Sequence, residues 1–228
     1  MAKLTYLGHA AFLIEGEGLR GIVDPFITGN PMCPVGVADI EVDYVFVTHG
    51  HSDHLGDAVE IARRNEAVIV APYELAVYCQ GKGVRAYPMH IGGAHRFPFG
   101  RVKLTPALHG SAVVTEEGIV YTGQPCGFLI DVEGKTVYHA GDTGLFSELE
   151  MLGERENIEV ALLPIGDNFT MGVMDAVYAA SLLRPRMVIP MHYGTFSEIE
   201  QDPAEFKEHV ERLGMRCTIL GPGESYQF

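Results

Sequence analysis

The first thirty residues alternate between apolar and polar positions in the manner of short strands. Lys3 to Leu7, Ala11 to Glu15 and Leu19 to Val23 are apolar-rich runs separated by glycines. Val42 to Thr48 is apolar at nearly every position, which predicts a strand buried on both faces. The period then changes. Leu55, Val59 and Ala62 recur at i, i+4 and i+7, the spacing of one helix face, and predict a helix over Leu55 to Asn65. A strand over Ala67 to Ala71 and a short helix over Tyr73 to Lys82 follow, and Val84 to Thr122 reads as strands and loops. Towards the end, Asp202-Pro203-Ala204-Glu205 predicts a helix start. Asp202 is its N-cap, Pro203 stands where a missing N–H costs nothing, and Glu205 reaches back to the cap. Gly214 closes that helix, and Cys217 to Leu220 predicts a final strand.

The second half of the pattern resembles the first. Phe12-Leu13-Ile14 recurs as Phe128-Leu129-Ile130, Val42 to Val47 matches Ile158 to Leu163, and Asp57-Ala58-Val59 recurs as Asp175-Ala176-Val177. Several matches in one order at nearly constant separation suggest a duplicated strand-helix unit. Two such halves can pack their sheets face to face with helices outside, an α/β architecture. No linker-like stretch interrupts the chain, so residues 1–228 read as a single domain of two pseudo-equivalent halves.

Composition narrows the class. Apolar residues make up 47% of the chain, enough for a sizeable core, and the formal net charge is -14. An acidic surface repels phosphate backbones, so nucleic acid is not expected as a partner. Cys33, Cys79, Cys126 and Cys217 are scattered and form no C-x-x-C pair, which argues against a cysteine zinc site or a disulfide framework. The start, Met1 to Tyr6, reads as a strand and lacks the features of a signal peptide, and no apolar run has the length of a membrane span. The expectation is a soluble cytoplasmic protein acting on a small molecule, with a homo-oligomer left open.

The candidate chemistry lies in Thr48-His49-Gly50-His51-Ser52-Asp53-His54, directly after the most apolar strand. Residues two apart on an extended loop point the same way, so His49 and His51 can bind one ion together. Asp53 and His54 lie at the turn into the next helix and can reach a second. Imidazole and carboxylate ligands suit zinc, and also iron, manganese or nickel. The competing reading is a solvated polar loop. Four potential ligands within six residues argue against it.

This run resembles the signature of the metallo-β-lactamase superfamily. Further matches are Thr105 to His109, His139-Ala140-Gly141-Asp142-Thr143 and Ile189-Pro190-Met191-His192-Tyr193. Gly8-His9-Ala10, Asp24-Pro25-Phe26 and Pro164 to Gly172 bring the chain near a group of small metal-dependent hydrolases. That group is similar to the ascorbate-phosphate lactonases and to the phospholipase D acting on N-acylphosphatidylethanolamine. The resemblance implies an αβ/βα four-layer sandwich and two divalent metal ions. His49, His51 and His109 would hold the first ion, and Asp53, His54 and His192 the second, with Asp142 bridging. Zinc is the leading candidate, with Mn2+, Ni2+ or Fe2+ as alternatives.

The implied reaction is hydrolysis of an ester-like bond, a phosphodiester or lactone of a small metabolite, by a metal-bound hydroxide. Asp53 would orient the nucleophile or handle its proton, and His9 would line the site without being a principal ligand. Histidine at 51, where flavodiiron oxygen reductases usually carry glutamate, favours hydrolysis. Rival readings are a mononuclear iron enzyme like the persulfide dioxygenases, a ribonuclease of the same superfamily, and a metal-binding sensor without turnover. Asp24 is a candidate partner for a ligand histidine. His139 reads equally as such a partner or as a satisfied core histidine. His90, His95 and His209 lack ligand-like contexts, and His209 reads as a surface residue.

Overall fold

The computed structural model describes residues 1–228 and contains two large sheets, a separate hairpin and six helices. The first half runs β1 (Lys3–Tyr6), β2 (Phe12–Gly16), β3 (Leu19–Val23), β4 (Tyr44–Phe46), α1 (Ser52–Leu55), α2 (Ala58–Asn65), β5 (Val68–Pro72), α3 (Tyr73–Gly81) and β6 (Ala86–Met89). It continues through β7 (Ala94–Phe97), β8 (Gly100–Pro106) and the hairpin β9 (Ala112–Thr115) and β10 (Gly118–Tyr121). The second half adds β11 (Cys126–Val132), β12 (Lys135–His139), α4 (Glu148–Arg155), β13 (Ile158–Pro164), α5 (Val173–Leu183), β14 (Met187–Met191), α6 (Pro203–Arg212) and β15 (Ser225–Gln227).

The strand order is β15-β1-β2-β3-β4-β5-β6 in the first sheet and β14-β13-β12-β11-β8-β7 in the second. From β1 to β5 the pairings run antiparallel, antiparallel, parallel, parallel. From β8 through β11, β12 and β13 to β14 they run in the same sequence. The repeat in the apolar pattern is therefore a repeat of topology. β2 corresponds to β11 and β4 to β13, the strands carrying the matched tripeptide and hexapeptide.

Side-chain alternation sends each face of the first sheet to a different core. Phe12, Ile14, Phe46 and Val70 point into the layer shared with the second sheet, where Phe46 meets Phe128 edge to face at 5.6 Å. Val45, Val47, Ile69 and Ala71 point the other way, against Ala58, Ile61 and Ala62 of α2 and Leu75 and Ala76 of α3. On the far side of the second sheet, α5 supplies Ala176, Ala179, Ala180 and Leu183 to the larger core, and α4 and α6 pack on α5. The layers are helix, sheet, sheet, helix, as expected. Truncating a buried phenylalanine of the central layer to alanine would cost about 3–5 kcal/mol. No helix is long and apolar enough to cross a membrane.

Three expectations are corrected. The helix over Leu55 to Asn65 is two helices, α1 and α2, divided at Gly56, which takes φ 40° with its Cα against the Pro25 carbonyl. Asp57 there accepts from the backbone N–H groups of Ile27 and Thr28 at 3.0 and 2.7 Å, tying the break to the loop after β3. At the other end, Cys217 makes only one parallel bridge, to Val188. The last strand is β15, which crosses to the first sheet and pairs antiparallel with β1. Asp202 caps α6 through Ala204 N–H at 2.8 Å as predicted, whereas Glu205 lies 3.9 Å from His209 instead of on the cap.

Candidate metal centre

The candidate residues all lie beyond one end of the two sheets, in corresponding loops. His9 follows β1 and His109 follows β8. Asp24 follows β3 and Asp142 follows β12, His49 to His54 follow β4, and His192 follows β14. Repetition of the strands thus brings loops distant in sequence to one place.

Three ring nitrogens converge at the first position. His51 Nδ1 is 3.0 Å from His49 Nε2 and 3.2 Å from His109 Nε2. Nitrogens held at 2.0–2.1 Å from one tetrahedral ion stand about 3.3–3.4 Å apart, so these two separations are close to what such an ion requires, and all three ligand atoms lie within 4.8 Å of one another. His9, Asp53, His54 and His192 form a second group, with ligand atoms within 4.8 Å of one another. Asp142 lies between. Its Oδ2 is 3.2 Å from His192 Nε2, 3.5 Å from His109 Nε2 and 3.9 Å from His49 Nε2, and its Oδ1 is 3.2 Å from His54 Nε2.

The donor atoms are bare where an ion would need them. His54 Nε2, Asp142 Oδ1 and His192 Nε2 are buried without a hydrogen-bond partner, although His54 and Asp142 are near neighbours. Buried polar atoms are rarely left so, and an ion among them would satisfy all three. Charge gives the same answer. Asp24 and Asp142 are buried and Asp53 is largely covered, yet every basic group within 4 Å of these carboxylates is a histidine. Buried anions require compensating positive charge. The residues present fit bound divalent metal.

Protonation in the protein alone follows the same balance. Burial disfavours charge on His192, but Asp142 and Asp53 outweigh it and raise its pKa to about 9. Burial likewise opposes charge on His54, and Asp142 and Asp24 overcome it, pushing the pKa well up. His49 goes the other way, depressed by burial and by His54. Burial also opposes the charge on Asp142, which the neighbouring His192 and His54 nevertheless hold well below the usual carboxylate range. Two of the histidines thus hold protons at the places where ions would supply positive charge.

Asp24 fixes which histidine nitrogens face inward. Its carboxylate accepts from His54 Nδ1–H at 2.7 Å, so Nε2 is the nitrogen turned inward, the one that would exchange its proton for an ion. It also accepts from the Thr48 hydroxyl at 2.7 Å and the Thr48 amide at 2.8 Å. With its proton given to Asp24, Thr48 Oγ1 accepts from His49 Nδ1–H at 2.9 Å, and His49 too presents Nε2. One carboxylate therefore sets a tautomer in each ligand group.

His9 is fully buried and takes φ 59°. Its Nε2 is 3.0 Å from Asp53 Oδ2 and its Nδ1 is 3.0 Å from Thr195 Oγ1. Burial lowers its pKa to about 4 against the opposing pull of Asp53, so the ring is neutral near pH 7. A carboxylate only accepts, so the single proton lies on Nε2 and Nδ1 accepts from the Thr195 hydroxyl. His139 is a satisfied core histidine. Its Nε2–H donates to the Ala10 carbonyl at 2.9 Å and its Nδ1 accepts from Gly141 N–H at 3.1 Å, fixing the turn before Asp142. Gly141 takes φ 63°, and a Cβ there would meet the Cys126 carbonyl oxygen at 2.5 Å. His90 stacks on Tyr73, His95 pairs with Tyr87, and His209 is a partly exposed residue of α6.

Several supporting residues had no signal in the sequence. Thr143 Oγ1 accepts from Leu108 N–H at 3.0 Å, joining the His109 and Asp142 loops, and its carbonyl accepts from Met171 N–H at 2.9 Å. The Pro164 to Gly172 segment is thus tied to the turn beside Asp142. Ser111 Oγ accepts from Gly50 N–H at 3.1 Å and is paired with Thr122 Oγ1 at 2.8 Å. Ser111 and Thr122 lie outside every motif that the sequence singled out, and Thr143 lies inside one without a role assigned to it.

Comparison with known proteins shows the family. A family model described as "Beta-lactamase superfamily domain" matches residues 3–192. A UPF0173 metal-dependent hydrolase of Anoxybacillus flavithermus is 54% identical over 226 residues, covering 99% of both chains. Another from a Geobacillus species is 55% identical over 227 residues, again covering 99% of both. Among solved structures, Igni18, a metallo hydrolase from the archaeon Ignicoccus hospitalis, is 41% identical with a TM-score of 0.90, covering 100% of this chain and 99% of the other.

Proposed function

The chain belongs to the β-lactamase superfamily as a metal-dependent hydrolase, and from that premise we propose that it is a binuclear enzyme cleaving an ester-like bond of a small molecule. His49, His51 and His109 would hold one divalent ion, Asp53, His54 and His192 would hold the other, and Asp142 would serve both. Zinc is the leading candidate, with manganese, nickel or iron as alternatives. The observation that carries this reading is the position of Asp142, one oxygen 3.2 Å from His54 Nε2 and the other 3.2 Å from His192 Nε2, facing the histidine triangle. We read residues 1–228 as one domain. The four cysteines are unpaired, which suits a cytoplasmic enzyme.

When bound, the ions supply Lewis acidity that activates water and polarises the substrate oxygen at neutral pH. Asp53 orients the attacking water and takes its proton. The water oxygen joins the carbonyl carbon or phosphorus, the bond to the leaving oxygen breaks, and that oxygen leaves with a proton. His9 is shut off from the cleft and acts through Asp53, holding its Oδ2 with the Nε2–H. It is thus a positioning residue. His9→Ala is expected to retain both metals and lower turnover by about 10- to 100-fold. Loss of one metal equivalent in that variant would instead make His9 a ligand, and unchanged kcat with full metal would leave it only a packing role.

The experiment for the reading itself is hydrolysis of activated esters, lactones and phosphodiesters at pH 7. Activity should vanish on chelation and return with zinc, manganese or nickel. Turnover that resists chelation to metal-free protein would refute it.

A further inference from the structure

We propose that the cleft beside the metal loop is an acyl-binding subsite, and that the substrate is an uncharged ester or lactone carrying an apolar chain. This rests on the hydrolase reading above and names the substrate class for it. The cleft has a volume of about 410 Å³. Its wall combines His51, Ser52 and Asp53 of the metal loop and α1 with Leu55 of α1 and Ala112, Val113 and Val114 of β9. A molecule whose reacting end lies at His51 and Asp53 can lay its chain along β9.

Charge favours an uncharged chain over a phosphorylated one in this cleft. Neither this cleft nor the neighbouring one of about 540 Å³ beside His109 has a lysine or arginine in its wall. A phosphate remote from the ions would find no cation, and the helix N-terminus in the wall, that of the four-residue α1, carries the acidic Asp53 in its first turn. The formal charge of -14 makes the surroundings less favourable still.

The hairpin is built as a wall for such a chain. Ser111 and Thr122 close its base, and Ser111 Oγ accepts from Gly50 N–H. A Cβ at Gly50 would strike Thr122 Oγ1 and lie 3.1 Å from the Ala112 carbonyl carbon, so glycine lets the hairpin lie directly on the metal loop. Beyond that base the strands are mainly apolar, with Thr115, Glu116 and Glu117 confined to the turn end. Val114 pairs with Ile119 and Ala112 with Tyr121 on one face, and Val114, Ile119 and Tyr121 are 80%, 76% and 69% exposed. A cluster of large exposed apolar side chains next to reactive groups marks a binding surface.

The test uses the metal-loaded protein and 4-nitrophenyl esters from acetate to octanoate, whose common leaving group holds the chemistry constant. kcat/KM should rise about two- to fourfold per methylene until the cleft is filled. Octanoate should bind at least tenfold tighter than acetate in calorimetry. Val114→Asp should lower kcat/KM for the octanoate ester at least tenfold more than for the acetate ester, with metal content at the parent level. Val114→Thr, which keeps the shape, should shift the ratio the same way by less. Turnover with no dependence on chain length would overturn the subsite and leave the hydrolase standing. Absence of turnover on any ester, lactone or phosphodiester, with octanoate still preferred over acetate and that preference lost in Val114→Asp, would overturn the hydrolase and leave the subsite. Equal binding of octanoate and acetate overturns the subsite in either case.

Discussion

Replacing Asp142 by alanine is expected to lower turnover by at least about a hundredfold and to weaken metal binding at both positions together. A carboxylate has two oxygens and can face two ions, which a neutral imidazole cannot. The distances from Asp142 to His54, His192, His109 and His49 run from 3.2 to 3.9 Å, so its removal opens both ligand groups at once. Loss of a ligand should exceed the 10- to 100-fold effect typical of groups that only support ligands. Asp142→Asn keeps the shape but offers one acceptor oxygen, and should retain one ion better than two. His54→Ala, by contrast, should deplete chiefly the second position. Metal titration of the three variants separates these outcomes. Two ions bound by Asp142→Ala as tightly as by the parent protein would remove the bridging role.

The second large effect is expected at Asp24, which touches no ion in this account. Asp24→Asn should weaken metal binding about 10- to 100-fold at both positions. The carboxylate accepts three hydrogen bonds, from Thr48 N–H, Thr48 O–H and His54 Nδ1–H. An amide has one oxygen and one donating nitrogen, so a fully buried asparagine must turn a donor towards Thr48 or His54. Either the His54 tautomer reverses or the Thr48 hydroxyl turns towards His49, and a nitrogen meant for metal acquires a proton. The backbone tolerates the change, because asparagine, like aspartate, accepts the φ of 44° at this position. Metal titration with circular dichroism distinguishes this from unfolding. A variant with native spectrum and parental affinity would show that the histidines orient themselves without Asp24.

The fold and the site were legible to different depths. Val42 to Val47 is apolar because β4 is covered by Phe128 on one face and by α2 and α3 on the other, and the polar run after it marks where the chain leaves the core. The repeat was legible because matched strands require matched apolar spacing. The hairpin β9–β10 was not resolved from its surroundings, since its exposed β-branched residues line no core and show no in-out alternation. The break at Gly56 was hidden because Leu55, Val59 and Ala62 keep helical spacing across a glycine that close approach of Pro25 demands. β15 has three residues and gains its place by pairing with β1 at the opposite end of the chain. Tautomers were beyond reach, because they depend on partners such as Thr195 for His9 and Asp24 for His54, which only the folded chain brings together.

The central claim is that seven side chains hold two ions. Elemental analysis of the protein purified without chelator, set against protein concentration from amino-acid analysis, tests it most directly. Two transition-metal ions per chain are expected, with zinc foremost. A single iron per chain at full occupancy, reproduced across preparations, would contradict it.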